Sequence, residues 1–284
     1  DDYANSGKNN QNLQWSSLKY CEKLSQDLLV DKCPQTYFLR CDDQIKYVYN
    51  SHTYIFHEYY KTWDKILHQG NEIGFHSHLI NLAHGQWIRQ DIYSSIENLE
   101  SSLSTLQKSG FKMLSSRISG FPFNQDIIDI LIKNNITHDS SCFPGYKDQL
   151  SFSSCWSKDK IQPFKINSSI DSSKQIMQVP LLVEKTKMNY DQSPKFRYLN
   201  PSYRCSIFNT ILSNYFSRLI KLYPAQSHFY NLILHPDEMN HELHPNWHEL
   251  YQFSYENVLN NIREVIRFLY EKYASVDKIL ISEV

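Results

Sequence analysis

Gly70-Asn71-Glu72-Ile73-Gly74-Phe75-His76-Ser77-His78 is the stretch from which the fold is read. A glycine stands where a helix would be capped, a short apolar strand follows, and two imidazoles arrive at its end. Upstream, Ile55, Tyr59, Trp63, Ile66 and Leu67 recur at helical spacing, which predicts a helix over residues 55–68 with Gly70 at its C-terminal cap. Before that, the aromatic and β-branched run Gln35-Thr36-Tyr37-Phe38-Leu39-Arg40 follows Pro34 and predicts a strand opening into the polar turn Cys41-Asp42-Asp43-Gln44.

The same unit recurs downstream. Ile92, Ile96, Leu99, Leu103 and Leu106 make one stripe of a helix over 91–106, closed at Gly110. A strand is expected at 113–116, a helix at 126–133 capped by Asn124 or Gln125, and strands at 136–139, 179–184, 230–235 and 279–284. Parallel neighbours need a crossover of about a dozen residues or more, so strands separated by helices predict an α/β fold with a parallel sheet or barrel. Residues 140–173, rich in serine and aromatics, are the least periodic and are expected to loop over one end of it. No internal repeat or low-complexity linker breaks the chain, so a single domain spanning 1–284 is expected, a usual size for an α/β barrel of about 250 residues or more.

Composition removes several function classes. The 284 residues carry 29 Lys+Arg against 30 Asp+Glu, and a net charge of -1 gives no basic surface for a nucleic-acid backbone. No apolar run approaches the roughly 20 residues of a membrane span. The 7 glycines are scattered, which excludes Gly-rich phosphate loops. Cysteines at 21, 33, 41, 142, 155 and 205 form no CxxC pair and no regular framework, so they read as apolar thiols of a reducing compartment, the cytoplasm. The chain begins Asp1-Asp2-Tyr3 without methionine or a signal-peptide pattern, which predicts a processed product or a fragment and leaves an exported form open.

In an α/β barrel the chemistry sits at the C-terminal ends of the strands, and four clusters lie there. His76 and His78, at i and i+2 of an extended segment, project to one side and suit one divalent ion. Asp1-Asp2 offers a carboxylate to complete such a set and a second one to act as general base, or else is a solvated terminus. In Asn231-Leu-Ile-Leu-His235-Pro236-Asp237-Glu238, His235 is placed to protonate a leaving group, or is satisfied within a turn. Arg117, in Ser115-Ser116-Arg117-Ile118-Ser119-Gly120, is able to hold a catalytic carboxylate or to make an ordinary rim ion pair. Asp139 either orients His235 or begins the Ser140-Ser141 turn.

Taken in order, an aspartate pair, an aromatic strand, the 70–76 motif, Arg117 with Gly120, Asp139-Ser140-Ser141 and Leu234-His235-Pro236 resemble the polysaccharide deacetylases of the NodB-homology type, carbohydrate esterase family 4. The likeness spans nearly the whole chain. It implies a distorted (β/α)7 barrel and metal-dependent hydrolysis of N-acetyl or O-acetyl groups on a polysaccharide or glycan precursor. Carried over, it implies Asp2, His76 and His78 as ligands of a divalent metal, zinc first, with iron, cobalt or nickel as alternatives. Asp1 is then the general base, Arg117 its holder, His235 the general acid, and Asp139 part of the strand framing the pocket. Asp42 and Asp43 are expected at the pocket rim as substrate contacts, and Trp87, Trp156 and Trp247 as stacking surfaces for sugar rings.

The chain departs from the family twice. The family's second ligand stands four residues after the first, where this chain has Ile80; His78 is the natural replacement, with Asn81 and His84 also open. The first motif, which runs into Gly-Pro in the family, here continues Tyr3-Ala4-Asn5. Asp42-Asp43 also follows a strand, but only 32 residues separate Asp43 from His76, too few for the intervening helix and strand. The strand expected before Asp1 is absent from this sequence. Two other readings remain open: a degenerate member that binds glycan without hydrolysing it, and a hydrolase of another amide or formyl group.

Overall fold

The structure, a computed structural model, describes residues 15–84, 86–89, 91–120, 124–145, 156–189, 191–224, 227–243 and 249–284. Its elements begin with α1 (Leu18–Val30), β1 (Thr36–Arg40), α2 (Asp43–Tyr49), α3 (Tyr54–Glu58), α4 (Tyr60–His68), β2 (Glu72–Ser77), β3 (Ile80–Ala83) and β4 (Gln86–Arg89). Next come α5 (Ile92–Lys108), β5 (Ser115–Ile118), α6 (Gln125–Lys133), β6 (His138–Asp139), β7 (Phe164–Asn167), β8 (Gln175–Gln178), β9 (Val183–Thr186) and β10 (Lys195–Tyr198). Helices α7 (Cys205–Leu222) and α8 (Tyr255–Lys272) follow.

The main sheet has the order β1-β2-β5-β6-β8-β7, parallel except for β7 at its far edge. It is a mixed α/β fold built on a parallel sheet. The deciding stretch forms its second strand, in register from Thr36 opposite Glu72 to Arg40 opposite His76. Gly74 is required there: a Cβ at this position would lie 2.6 Å from the Phe38 ring and 2.6 Å from Ser115 Oγ. Gly70 ends the preceding helix at φ +82, a left-handed conformation that glycine adopts without steric cost.

Local capping sets the helix starts. Asp91 accepts from the N–H groups of Tyr93 and Ser94, Asn124 from Ile127, and Ser254 from Asn257. The helix expected over 55–68 is divided at Tyr59 into α3 and α4, and Trp63 Nε1 donates to the Ile55 carbonyl across the break at 2.9 Å. Apolar faces of these helices meet the sheet at Leu39, Ile66, Phe75, Leu103, Ile118 and Leu131, all buried. Each such side chain contributes about 1.5–3 kcal/mol on leaving water. A second core joins α7 and α8 through Phe208, Ile211, Leu212, Tyr215 and Val265. These two helices, and β7 within residues 140–173, lie outside the elements expected from periodicity, although the α7 stripe is as regular as that of α5.

Past β6 the wall turns and becomes irregular. Val179 N–H donates to the Asp139 carbonyl at 2.8 Å, Leu181 N–H to Cys142 at 2.9 Å, and Leu182 N–H to Asn231 at 2.9 Å. The expected 179–184 strand is therefore shared among separate partners, and only its last two residues enter β9. Among the described residues, 230–235 form no strand ladder, and the expected terminal strand at 279–284 is instead a 3₁₀ turn, Ile281–Glu283. Residues 33–40 and 227–239 face each other across a cavity of about 1230 Å³. Among the described residues, no ladder closes this gap into the expected barrel.

Candidate active site

Strand β2 carries His76 to the C-terminal edge of the sheet, and His78 follows one residue past its end. Their rings lie 4.9 Å apart between centroids and at right angles. His76 Nδ1 is 2.6 Å from the Arg117 carbonyl on the neighbouring strand β5, which makes Nδ1 the protonated nitrogen and leaves Nε2 as a lone-pair donor. Burial pushes the His76 ring down to about 3, with Arg40 and Arg117 adding to the effect, so it is neutral at ordinary pH. His78 is likewise held well below the usual histidine range by burial, then by Arg40 and His76. Two neutral imidazoles suit a divalent metal, which binds deprotonated ligands.

Arg40 and Asp42 hold this pair in place. The Asp42 carboxylate receives Arg40 at 2.9 and 3.0 Å, caps α2 through the N–H groups of Gln44 and Ile45, and accepts the His78 N–H at 3.1 Å. Asp42 is only 2 % exposed and fastens His78 and the start of α2. Asp43 remains half-buried beside His52 at 3.0 Å.

Across the cavity stands His235, at the start of a 3₁₀ turn, Pro236–Met239. Its N–H donates to Glu238 Oε2 at 2.8 Å, and its Nδ1 is 3.7 Å from the same oxygen. The His235 side chain is 55 % exposed, and the Glu238 carboxylate, helped by Asp237, outweighs the desolvation that opposes protonation and raises the ring above the usual histidine range. One imidazole site is thus poised to be neutral and the other to carry a proton. Arg117 lines the same cavity, is buried, and sits 5.9 Å from the centre of the Phe38 ring. Burial lowers its guanidinium to about 10, which still leaves it a cation.

Other expected site residues are placed elsewhere. Asp139 is 1 % exposed and does not reach the cavity. It receives Ser116 Oγ at 2.6 Å, Ser141 Oγ at 2.8 Å and Gln178 Nε2 at 3.0 Å, and Ser141 Oγ in turn accepts the Ile118 N–H. It braces β5 beneath Arg117. Trp156 is buried against Phe164, with ring centres 6.3 Å apart, and does not face the cavity. Trp87 lies on the β3–β4 hairpin, edge-on to Tyr47 at 5.6 Å. His84 is exposed in the turn of that hairpin. Asp1, Asp2 and Trp247 lie outside the described residues. Among the described residues there is no group of three metal-ligating side chains.

Arg40 and Glu238 are the residues of the candidate site that the sequence does not single out. Arg40 stands two residues before Asp42 at a strand end, and Glu238 three residues after His235, the spacing of a capping interaction. Both signals are local, but their importance depends on which imidazole each one faces.

No family model and no curated protein matches this sequence. A crystal structure described as "putative polysaccharide deacetylase from Mycobacterium smegmatis" is similar to this chain at 13% identity, covering 93% of this chain and 73% of that one, with a TM-score of 0.48.

Proposed function

We propose that this chain is a metal-dependent hydrolase that removes acetyl groups, on nitrogen or oxygen, from a polysaccharide or glycan precursor. The carrying observation is one cavity with a neutral His76–His78 pair on one side and a His235 of raised basicity on the other. His76 and His78 would hold the metal, and Asp2 would supply the carboxylate that completes the set. A divalent ion held by these residues, zinc first, would supply Lewis acidity to the acyl carbonyl and would acidify a water. Asp1, with Arg117 to orient it, would serve as the general base. His235 gives a proton to the departing nitrogen or oxygen, and Glu238 favours the protonated ring. Asp43, at the start of α2, and Trp87, on β4, contact the sugar. The order of sequence motifs supports the choice of acetylated carbohydrate as substrate.

Elemental analysis of the purified protein, paired with acetate release from an acetylated oligosaccharide, tests the reading. A His76→Ala protein is expected to lose the metal and, with it, about a thousandfold or more of the acetate release, while remaining folded. Full metal occupancy in that variant would sink the ligand assignment. Retention of acetylated sugar without acetate release favours the non-hydrolytic reading, and formate release in preference to acetate favours another amide.

A further inference from the structure

Asn200 opens the turn that follows β10, in the order Asn200-Pro201-Ser202-Tyr203. Asparagine first and proline second suit a β-turn, and the Tyr203 N–H closes it onto the Asn200 carbonyl at 3.0 Å. The Asn200 side chain is completely buried. Its Oδ1 accepts the Ser202 N–H and the Ser202 hydroxyl, both at 2.8 Å. A backbone N–H has only a proton to offer, so the amide meets it with oxygen and its Nδ2 points the other way. There Nδ2 donates to Glu238 Oε1 at 2.7 Å. The turn itself is fastened from α8: Asn261 donates to the carbonyls of Pro201 at 2.8 Å and Tyr203 at 2.7 Å, and Asn257 adds a bond to Tyr203 at 3.0 Å.

Glu238 divides its two oxygens between two partners. Oε1 takes Asn200, while Oε2 takes the His235 N–H at 2.8 Å and lies 3.7 Å from His235 Nδ1. Turning the carboxylate away from the ring breaks the Asn200 bond. Among the described residues, no lysine or arginine lies within ion-pair distance of Glu238. An amide fixes a carboxylate without cancelling its charge, whereas an ammonium or guanidinium in the same place would neutralise it. The other charged or titratable groups that act on His235 are Asp237 of its own turn, Arg117 of β5 and His78 beyond the end of β2.

We propose that Asn200 is a positioning residue for the His235 proton: it holds the Glu238 carboxylate, still fully charged, in the orientation that faces the imidazole. The route runs from α8 through the 200–203 turn to Glu238 and then to the ring, so a rigid helix sets how an exposed histidine binds its proton. That His235 then serves as general acid rests on the proposed function. The coupling between Asn200 and the ring does not.

Proton NMR of the His235 ring in chelator-treated protein, with His235→Gln to mark its signal, tests this. In Asn200→Ser the new hydroxyl still accepts the Ser202 N–H and keeps the turn, but the donor to Glu238 is lost. The His235 titration midpoint is expected to fall by about 0.5 pH unit or more, and to fall no further when Asn200→Ser is added to Glu238→Gln. A second measurement decides the matter whether or not the variant folds. In the unsubstituted protein the Asn200 side-chain amide signals are expected to shift with the His235 midpoint, because both groups bond one carboxylate. An unmoved midpoint in a folded Asn200→Ser protein, an equal fall with and without the Glu238 carboxylate, or amide signals blind to the His235 titration would each overturn the proposal. The rate profile keeps it apart from the proposed function: Asn200→Ser is expected to move the basic limb of acetate release to lower pH, with KM changed less than about twofold. No acetate release from the unsubstituted protein, with the NMR shift intact, defeats the hydrolase reading alone. Acetate release intact with an unmoved midpoint defeats the role of Asn200 alone.

Discussion

The two sides of the cavity are built by different means. The β1–β2–β5–β6 arc is a parallel ladder, and it holds His76 through the Arg117 carbonyl of the next strand. The opposite arc is irregular chain with isolated main-chain bonds, and it holds His235 through a single carboxylate three residues away. The ladder side half-buries its imidazoles next to arginines and keeps them neutral. The open side pairs its imidazole with Glu238 and favours the proton. One residue type is thus steered into two chemical states by whether its nearest partners are cationic or anionic.

The ladder side should break more sharply when disturbed. Arg40 and Asp42 are both buried, so Arg40→Met leaves a carboxylate without its cation and is expected to cost about 3–5 kcal/mol in urea unfolding. A cost under about 1 kcal/mol would mean that the pair does not brace the histidine edge. Gly74→Val drives a side chain into Phe38 and Ser115 and should cost about 1–3 kcal/mol or prevent folding. An equally stable valine variant would show that β1 and β2 are not in this register.

Acid should separate the two sides next. An unfolded histidine titrates near ~6.5, whereas His76 in the fold is pushed down to about 3. Between those values the unfolded chain binds a proton that the folded one does not, so the stability from a neutral His76 is present above about pH 6.5 and falls away as pH drops toward 3. Thermal midpoints of chelator-treated protein are expected to decline over that window, and less steeply in His76→Gln. A flat midpoint would contradict the buried, neutral assignment.

Glu238→Gln should have the smallest effect. Removing the carboxylate takes away the charge that favours the protonated His235 ring, so its proton is lost at lower pH. Activity that depends on a protonated His235 is present below its pKa and lost as pH rises through it. The basic limb of the rate–pH profile is therefore expected to move to lower pH, with less than about a tenfold change in rate below the limb. An unmoved limb would detach His235 from the proton transfer.

Elements with strong local signals are legible in the chain alone. Strand β2, helix α5 behind Asp91 and helix α6 behind Asn124 follow from apolar period and capping residues, because both act within a few positions of each other. The 230–235 run has the same apolar, β-branched character, yet it forms no strand ladder, since a strand also needs neighbours on its edges. Periodicity cannot report whether those neighbours exist.

The site divides in the same way. The sequence by itself determined that His76, His78, Arg117 and His235 follow extended segments in an α/β chain, because strand and turn preferences are local. Tertiary structure decided that all four line one cavity, that Asp42 fastens His78, and that Asp139 and Trp156 point elsewhere. It also decided which imidazole is held neutral and which is inclined to carry a proton. Those outcomes depend on burial and on charges brought together from distant positions, as when Arg117 meets His76 from 41 residues away, and spacing along the chain does not encode them.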